Sequence, residues 1–233
     1  MEYGQIEAVA KAINKNTAAV LLEPIQGEGG ILMPPDGYLT KVMKLCRKNH
    51  VLFMLDEIQT GLGRTGKLFA YQYEAEVKPD VLIVGKALSA GFYPVSAVLA
   101  KKEVLGVFNP GDHGSTFGGN PLACAIARES LKVIVSEKLV QNSAKMGNYL
   151  MKRLETIKSK WIKAVRGQGL LIGIELTQDS GGARRFCEKL AVKGVLCKET
   201  HDYVLRLAPP LNITKNQIDL AFSKVRQVLT DYD

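Results

Sequence analysis

The sequence predicts an α/β fold: a mostly parallel sheet within residues 1–135, followed by a smaller α+β domain over 136–233. Three observations carry this. The runs Val51-Leu52-Phe53-Met54-Leu55 and Val81-Leu82-Ile83-Val84 are short, unbroken and apolar, as strands buried on both faces are. Helical periods or long crossovers separate them instead of two-residue turns, which is the spacing that parallel strands need. Beyond about residue 136 the pattern changes to amphipathic helices alternating with single short strands.

Taken along the chain, Ile6 to Ile13 reads as a helix and Ala18-Ala19-Val20-Leu21-Leu22 as a buried strand ending at Glu23-Pro24. Pro35-Asp36-Gly37 opens a helix in which Leu39, Val42, Met43 and Cys46 share one face. Strand 51–55 follows, then a glycine-rich loop from Gly61 to Gly66, strand 81–84 and a short strand from Ser96 to Ala100. Pro121 to Val135 reads as a connecting helix, with Asn120 as its N-cap and Pro121 at the first helical position. Helix 139–157, strand Leu170 to Leu176, helix 183–193, strand Val204 to Leu207 and a final helix complete the chain. The last helix has a clear start: Thr214-x-x-Gln217 forms a capping box, and Ile213 with Ile218 supplies the hydrophobic staple. The strand ending at Leu22 has too little chain before it to cover both faces of a parallel sheet, so the chain is expected to start inside a domain.

Bulk properties exclude several classes. A hydrophobic content of 46% with 23% charged residues is ordinary for a globular protein. No apolar run approaches the roughly 20 residues that span a bilayer, and Met1-Glu2-Tyr3-Gly4-Gln5 has neither a basic flank nor an apolar core of a secretory signal. Cys46, Cys124, Cys187 and Cys197 are scattered without a Cys-x-x-Cys, and His50, His113 and His201 share no metal spacing. A metal site or disulfide framework is therefore not expected, and a reducing cytoplasm is. The net charge of +8 falls entirely within residues 124–233, since residues 1–123 carry 12 basic and 12 acidic side chains. There Lys145, Lys152, Arg153 and Lys158 alternate with Met146, Leu150, Leu154 and Ile157 at helical spacing, the signature of solvated helix faces and not of a nucleic-acid surface.

Two charged residues stand out. Asp56 closes the apolar run 51–55 and Lys86 follows 81–84 after Gly85, where such side chains are rare unless paired or functional. In open parallel sheets ligands lie beyond the carboxyl ends of the strands. Pyridoxal phosphate chemistry asks for both groups there, a lysine for its carbonyl carbon and a carboxylate for its ring nitrogen. An ion pair or two solvated strand ends account for the spacing equally well. Gly114-Ser115-Thr116-Phe117-Gly118-Gly119-Asn120 adds two hydroxyls on flexible backbone, suited to a phosphate. Gly61-Leu62-Gly63-Arg64-Thr65-Gly66-Lys67 looks like a nucleotide loop on paper, but Leu68 stands where a P-loop needs Ser or Thr, and no helix start follows. It reads as a structural loop. Glu23 and Glu28 lie in a second glycine-rich loop, and Arg206, between Leu205 and Leu207, is the best isolated arginine for a substrate carboxylate, although by itself it reads more readily as a surface strand arginine.

Together these segments resemble a known family. Leu22-Glu23-Pro24-Ile25-Gln26-Gly27-Glu28, Asp56-Glu57-Ile58-Gln59-Thr60-Gly61, Gly85-Lys86-Ala87-Leu88-Ser89 and Gly114 to Pro121 occur in this order in class III pyridoxal-phosphate aminotransferases. Leu196 to His201 and Arg206 to Leu211 are similar to the ornithine-specific branch. The resemblance implies the fold-type I architecture of pyridoxal-phosphate-dependent transferases, with an incomplete large domain over 1–135 that includes the connecting helix, and a small domain over 136–233. It implies pyridoxal 5'-phosphate held by Lys86, which also shuttles the proton and needs a neutral amine, as burial favours. Asp56 would hold the ring nitrogen protonated, Gln59 would face the phenolic oxygen, and Ser115 and Thr116 would reach the phosphate of a neighbouring subunit in a homodimer. Arg206 would bind the carboxylate of glutamate or 2-oxoglutarate, with Glu28 covering it while ornithine reacts through its terminal amine. The implied products are glutamate 5-semialdehyde and glutamate.

Family members are much longer, so the resemblance also implies that an amino-terminal portion is missing and that the chain needs it for activity. Acetylornithine or 4-aminobutyrate transamination, or a non-catalytic half-subunit, are the alternatives. Amino-acid and 2-oxo-acid substrates are expected, with neither nucleic acid nor membrane as partners.

Overall fold

The structure, a computed structural model, describes residues 1–231. It divides into two compact units: residues 1–24, 34–62 and 69–137 form the first, and 25–33, 63–68 and the described residues from 138 onward the second.

The first unit is built on α1 (Ile6–Ala12), β1 (Ala19–Leu22), α2 (Tyr38–Lys48), β2 (Leu52–Asp56), β3 (Val81–Val84), β4 (Ala97–Ala100), α3 (Lys102–Leu105) and α4 (Pro121–Ser136). Its sheet runs β1-β2-β3-β4. The first three strands are parallel and β4 is antiparallel to β3, so the sheet is mostly parallel as predicted. Phe53 and Leu55 point to one face of β2 and are fully buried, with α2 packed against that strand. On the other face Leu21 and Val98 remain half exposed.

Gly37 precedes α2 and offers no side chain to its free amides. Glu74 supplies the acceptor instead, taking the Leu39 and Thr40 N–H groups at 3.2 and 2.8 Å and the Thr40 hydroxyl at 2.5 Å. At α4 the predicted cap is present: the Ala123 N–H donates to Asn120 Oδ1 at 2.9 Å, with Pro121 next in line.

The second unit contains α5 (Leu139–Leu154), β5 (Ile162–Gln168), β6 (Leu171–Leu176), α6 (Arg184–Val192), β7 (Lys198–Thr200), β8 (Val204–Leu207) and α7 (Lys215–Thr230). Its sheet has the order β5-β6-β8-β7 and is antiparallel throughout. Leu154, Ile172, Ile174, Phe186, Leu190, Leu205, Ile218 and Leu229 make one dry core between the sheet and its helices. The capping box of α7 is as predicted, with the Thr214 N–H donating to Gln217 Oε1 at 2.9 Å and the Gln217 N–H donating to Thr214 Oγ1 at 3.3 Å. Ile213 and Ile218 both reach the core.

Two strands are absent from the sequence prediction. β5 carries Lys163 and Arg166, breaks register near Ala164 and is nowhere fully buried, so it shows no alternation of polar and apolar residues. β7 is three residues long and polar. Among the described residues, no helix is long and apolar enough to cross a membrane.

Candidate active site

The parallel sheet sets the first group of residues. β2 and β3 run side by side with Asp56 opposite Ile83. Lys86 follows three residues later, at the same end of the sheet. The loops beyond the two strands touch: a Cβ built on Gly85 would lie 3.3 Å from Ile58 Cγ2 and 3.5 Å from Ser96 Cβ, so only glycine lets the chain before Lys86 fit there without displacing Ile58. Lys86 itself adopts φ 43°, a left-handed backbone that non-glycine residues seldom hold. It opens a 3₁₀ turn, Lys86–Ser89, whose Ser89 hydroxyl donates to the Lys86 carbonyl oxygen at 3.2 Å. Strain of this kind clusters at functional positions.

The side chain of Lys86 is exposed. It is not buried as expected, because Gly85 ends the covered part of the strand and the turn carries Lys86 out of it. Asp56 is half-buried, and its Oδ1 accepts the Ile58 N–H at 2.9 Å. Gln59 is also half-buried, in the turn that follows. Ser115 and Thr116 are exposed in the turn before α4, where Ser115 Oγ accepts the Gly118 N–H at 2.9 Å.

Between Asp56 and Gln59 sits a residue that sequence reasoning missed. Glu57 is 1% exposed, yet its carboxylate accepts the Thr60 hydroxyl at 2.5 Å, the Ala70 N–H at 3.0 Å and the Tyr71 N–H at 2.9 Å. Its own N–H donates to the Ile83 carbonyl at 2.9 Å and its carbonyl accepts the Gly61 N–H at 2.8 Å. Glu57 therefore fixes the turn carrying Gln59 to both β3 and the segment at 70–71. Burial raises its pKa above the usual carboxylate value, against the lowering effect of these hydrogen bonds and with a small push from Asp56. The signal in the sequence was a second acid directly after Asp56 with Thr60 three residues on.

The second group belongs to the other unit. Residues 25–33 form a small hairpin, with Gln26 and Leu32 exchanging hydrogen bonds at 3.1 and 3.0 Å. Arg166 on β5 holds its tip through the carbonyls of Gly30 at 2.7 Å and Ile31 at 2.9 Å, and is itself ion-paired to Glu175. The Thr200 hydroxyl, buried on β7, stands 3.0 and 2.9 Å from the carbonyl oxygens of Gly27 and Glu28. So held, Glu28 forms an ion pair with Arg206 on β8. The Arg206 side chain is 17% exposed and that of Glu28 61%. The structure thus joins two of the predicted residues that lie far apart in sequence.

The loop at 63–68 is a packing element, as the sequence reading favoured. The Arg64 guanidinium donates to the carbonyls of Leu170 at 3.1 Å and Pro209 at 2.6 Å, while the Arg64 carbonyl accepts the Ser143 hydroxyl and the Leu170 N–H. Gly169 lies so close that a Cβ there would meet the Thr65 carbonyl carbon at 2.3 Å. Burial lowers the Arg64 pKa to about 10.

The donors of the first group fit pyridoxal phosphate by their chemistry: one primary amine, one carboxylate able to face a protonated ring nitrogen, and one neutral amide. Comparison with known proteins points the same way. A profile of the aminotransferase class-III family matches residues 2–229. Ornithine aminotransferase 2 of Staphylococcus saprophyticus is 58% identical over 98% of this chain and 57% of its own length. The solved ornithine aminotransferase of Plasmodium yoelii superposes with a TM-score of 0.96 at 44% identity, covering 100% of this chain and 62% of that one. The acetylornithine aminotransferase of Elizabethkingia anophelis gives 0.93 at 46% identity, over 100% and 59%. The chain therefore spans little more than half the length of the relatives it matches.

Proposed function

The chain belongs to the class III aminotransferase family, and from that premise we propose that it serves a pyridoxal-phosphate-dependent transfer of the terminal amino group of ornithine to 2-oxoglutarate. The observation that carries the reading is the placement of Asp56 and Lys86 at one end of adjacent parallel strands, with Ile58 against Gly85 between them. When bound, the cofactor supplies a conjugated ring able to accept the electrons of a deprotonated carbon. Lys86 holds that cofactor through its ε-amine and moves the proton at the reacting carbon. Asp56 keeps a proton on the ring nitrogen, and Gln59 donates toward the phenolic oxygen. Ser115 and Thr116, exposed on their turn, bind the phosphate of a second copy of the subunit.

Ornithine as donor is favoured by the Glu28–Arg206 pair and by the relative in Staphylococcus saprophyticus. Arg206 binds a substrate carboxylate through two parallel hydrogen bonds. Glu28 neutralises Arg206 when the donor presents an amine and no carboxylate at that place. Acetylornithine is the second reading, favoured by the Elizabethkingia anophelis structure. The half-exposed face at Leu21 and Val98 supports pairing with a further chain segment as a condition of activity.

The test is borohydride reduction of the purified chain with pyridoxal phosphate, followed by peptide mass mapping. A stable adduct confined to Lys86 is the expected result. Adducts spread over other lysines, with Lys86 unmodified, overturn the assignment.

A further inference from the structure

Outside the candidate site, two of the scattered cysteines come together. Cys187 lies on α6 and Cys197 two residues ahead of Glu199 on β7. After α6 the chain turns back sharply, with the Gly194 N–H donating to the Ala191 carbonyl and the Val195 N–H to the Leu190 carbonyl, both at 2.9 Å. Helix and strand then run past each other. Arg184 Nη1 pairs with Glu199 Oε1 at 2.9 Å across them. One helical turn on from Arg184 stands Cys187, and two residues back from Glu199, in the extended chain just before β7, stands Cys197. Steps of three in a helix and two in a strand return to the same face, advancing about 4.5 and 6.6 Å. The contact that joins 184 to 199 therefore faces the two thiols toward each other. Cys197 packs against the core that contains Cys187.

We propose that Cys187 and Cys197 are a redox-active dithiol, oxidised by small-molecule disulfides to an intrachain bond that fastens α6 to β7. Cys197 is the partly exposed member, whereas Cys187 is 6% exposed. The neighbouring Cys187 thiol holds the Cys197 thiol below the usual thiol range; the same neighbour, then burial, pushes Cys187 up. Cys197 as thiolate attacks one sulfur of the incoming disulfide and expels one thiolate. The Cys187 sulfur then attacks Cys197 in the mixed disulfide, forms the Cys187–Cys197 bond and expels the second thiolate. The protein loses two hydrogens, and the oxidant leaves as two thiols. The clip ends three residues before Thr200, whose hydroxyl holds the Gly27–Glu28 backbone, so it stiffens the strand beneath the Glu28–Arg206 pair. The bond itself does not depend on the aminotransferase reading.

The test uses the full chain in native buffer with oxidised glutathione, quenched with N-ethylmaleimide and digested with trypsin without reduction. Cleavage after Arg185, Lys189, Lys193 and Lys198 isolates residues 186–189 and 194–198. These two fragments are expected as one species, two hydrogens lighter than their sum, while exposed Cys124 carries glutathione. In Cys197→Ser the joined species disappears and Cys124 still reacts, which shows that the oxidant was active. Recovery of Cys187 and Cys197 as free thiols, as separate glutathione adducts, or joined only in urea overturns the proposal.

Discussion

Glu57→Gln is the sharpest probe of how the Asp56–Gln59 turn is held. The carboxylate of Glu57 accepts three donors: Oε2 takes the Thr60 hydroxyl and the Ala70 N–H, and Oε1 takes the Tyr71 N–H. Glutamine keeps the shape but has one oxygen, and its NH₂ can accept nothing. With the oxygen toward Ala70, the Tyr71 N–H faces another donor. With the amide reversed, the Ala70 N–H does, although Thr60 can turn its hydroxyl to accept. Either way one backbone N–H loses its partner, and a buried unsatisfied donor costs about 1–3 kcal/mol. In the exchange of that segment with solvent, such a cost appears as amides about 5- to 150-fold faster, at 1.4 kcal/mol per tenfold. Hydrogen exchange read by mass spectrometry over a peptide covering residues 69–74 measures this, with a peptide from α7 as the unaffected control. If Ala70 and Tyr71 exchange within twofold of the unsubstituted chain while Glu57 remains buried, its carboxylate does not hold this segment and the reasoning fails.

Arg64→Lys in the other unit leaves the charge but ends the side chain one bond short of Nη1, the single nitrogen that donates to both Leu170 and Pro209. One buried carbonyl then loses its donor, and urea unfolding followed through Trp161, the chain's one tryptophan, is expected to show a loss of about 1–3 kcal/mol; a change under about 0.5 kcal/mol contradicts that. The two units are also expected to respond to pH in opposite directions. Burial raises the Glu57 pKa, so its contribution is fully present below the unfolded value of 4.5 and is lost as pH rises through the higher folded value. Glu175 is lowered, first by its hydrogen bond to Lys163 and also by Arg166, so its contribution is present above 4.5 and is lost as pH falls through the lower folded value. Protection corrected for intrinsic exchange should therefore fall on raising pH from 4.5 around residues 57–61, and on lowering pH from 4.5 along β5 and β6. Parallel trends in both places would refute the assignment.

Much of the framework is legible in the sequence because single residues announce it. Unbroken Val, Leu, Ile and Phe runs reveal β2 and β3, and Thr214 with Gln217 marks the start of α7 within one residue. Asp56, Lys86 and Arg206 are conspicuous because charge stands beside apolar strand residues. Other features are illegible because they join parts remote in sequence. Arg166 holds Gly30 from 136 positions away, and Arg64 holds Leu170 from 106. Each reads locally as an ordinary surface charge, yet their bonds are what group 25–33 and 63–68 with the second unit. Glu57 is hidden for another reason: beside Asp56 it looks like one more polar loop residue, and only the positions of Ala70 and Tyr71 reveal that it is enclosed.

Glu57 and Glu28 show how environment divides one side-chain type into a fixture and a movable group. Three donors surround the enclosed carboxylate of Glu57, and removing it from them strands buried N–H groups at about 1–3 kcal/mol each. Glu28 has a side chain that is 61% exposed, so water competes with Arg206 for it and the pair contributes only about 0.2–1 kcal/mol. An anion approaching Arg206 therefore has to overcome at most a few-fold handicap from Glu28. The Glu28 backbone does not share this freedom, because Thr200 lies within hydrogen-bond distance of its carbonyl and Arg166 anchors Gly30 two residues on. The backbone is thus fixed on β5 and β7 while the carboxylate above it is held only weakly. That combination permits a side chain to swing without disturbing the strand that presents Arg206, and it is the physical requirement of the exchange proposed for Arg206, between a neutralising partner and a carboxylate.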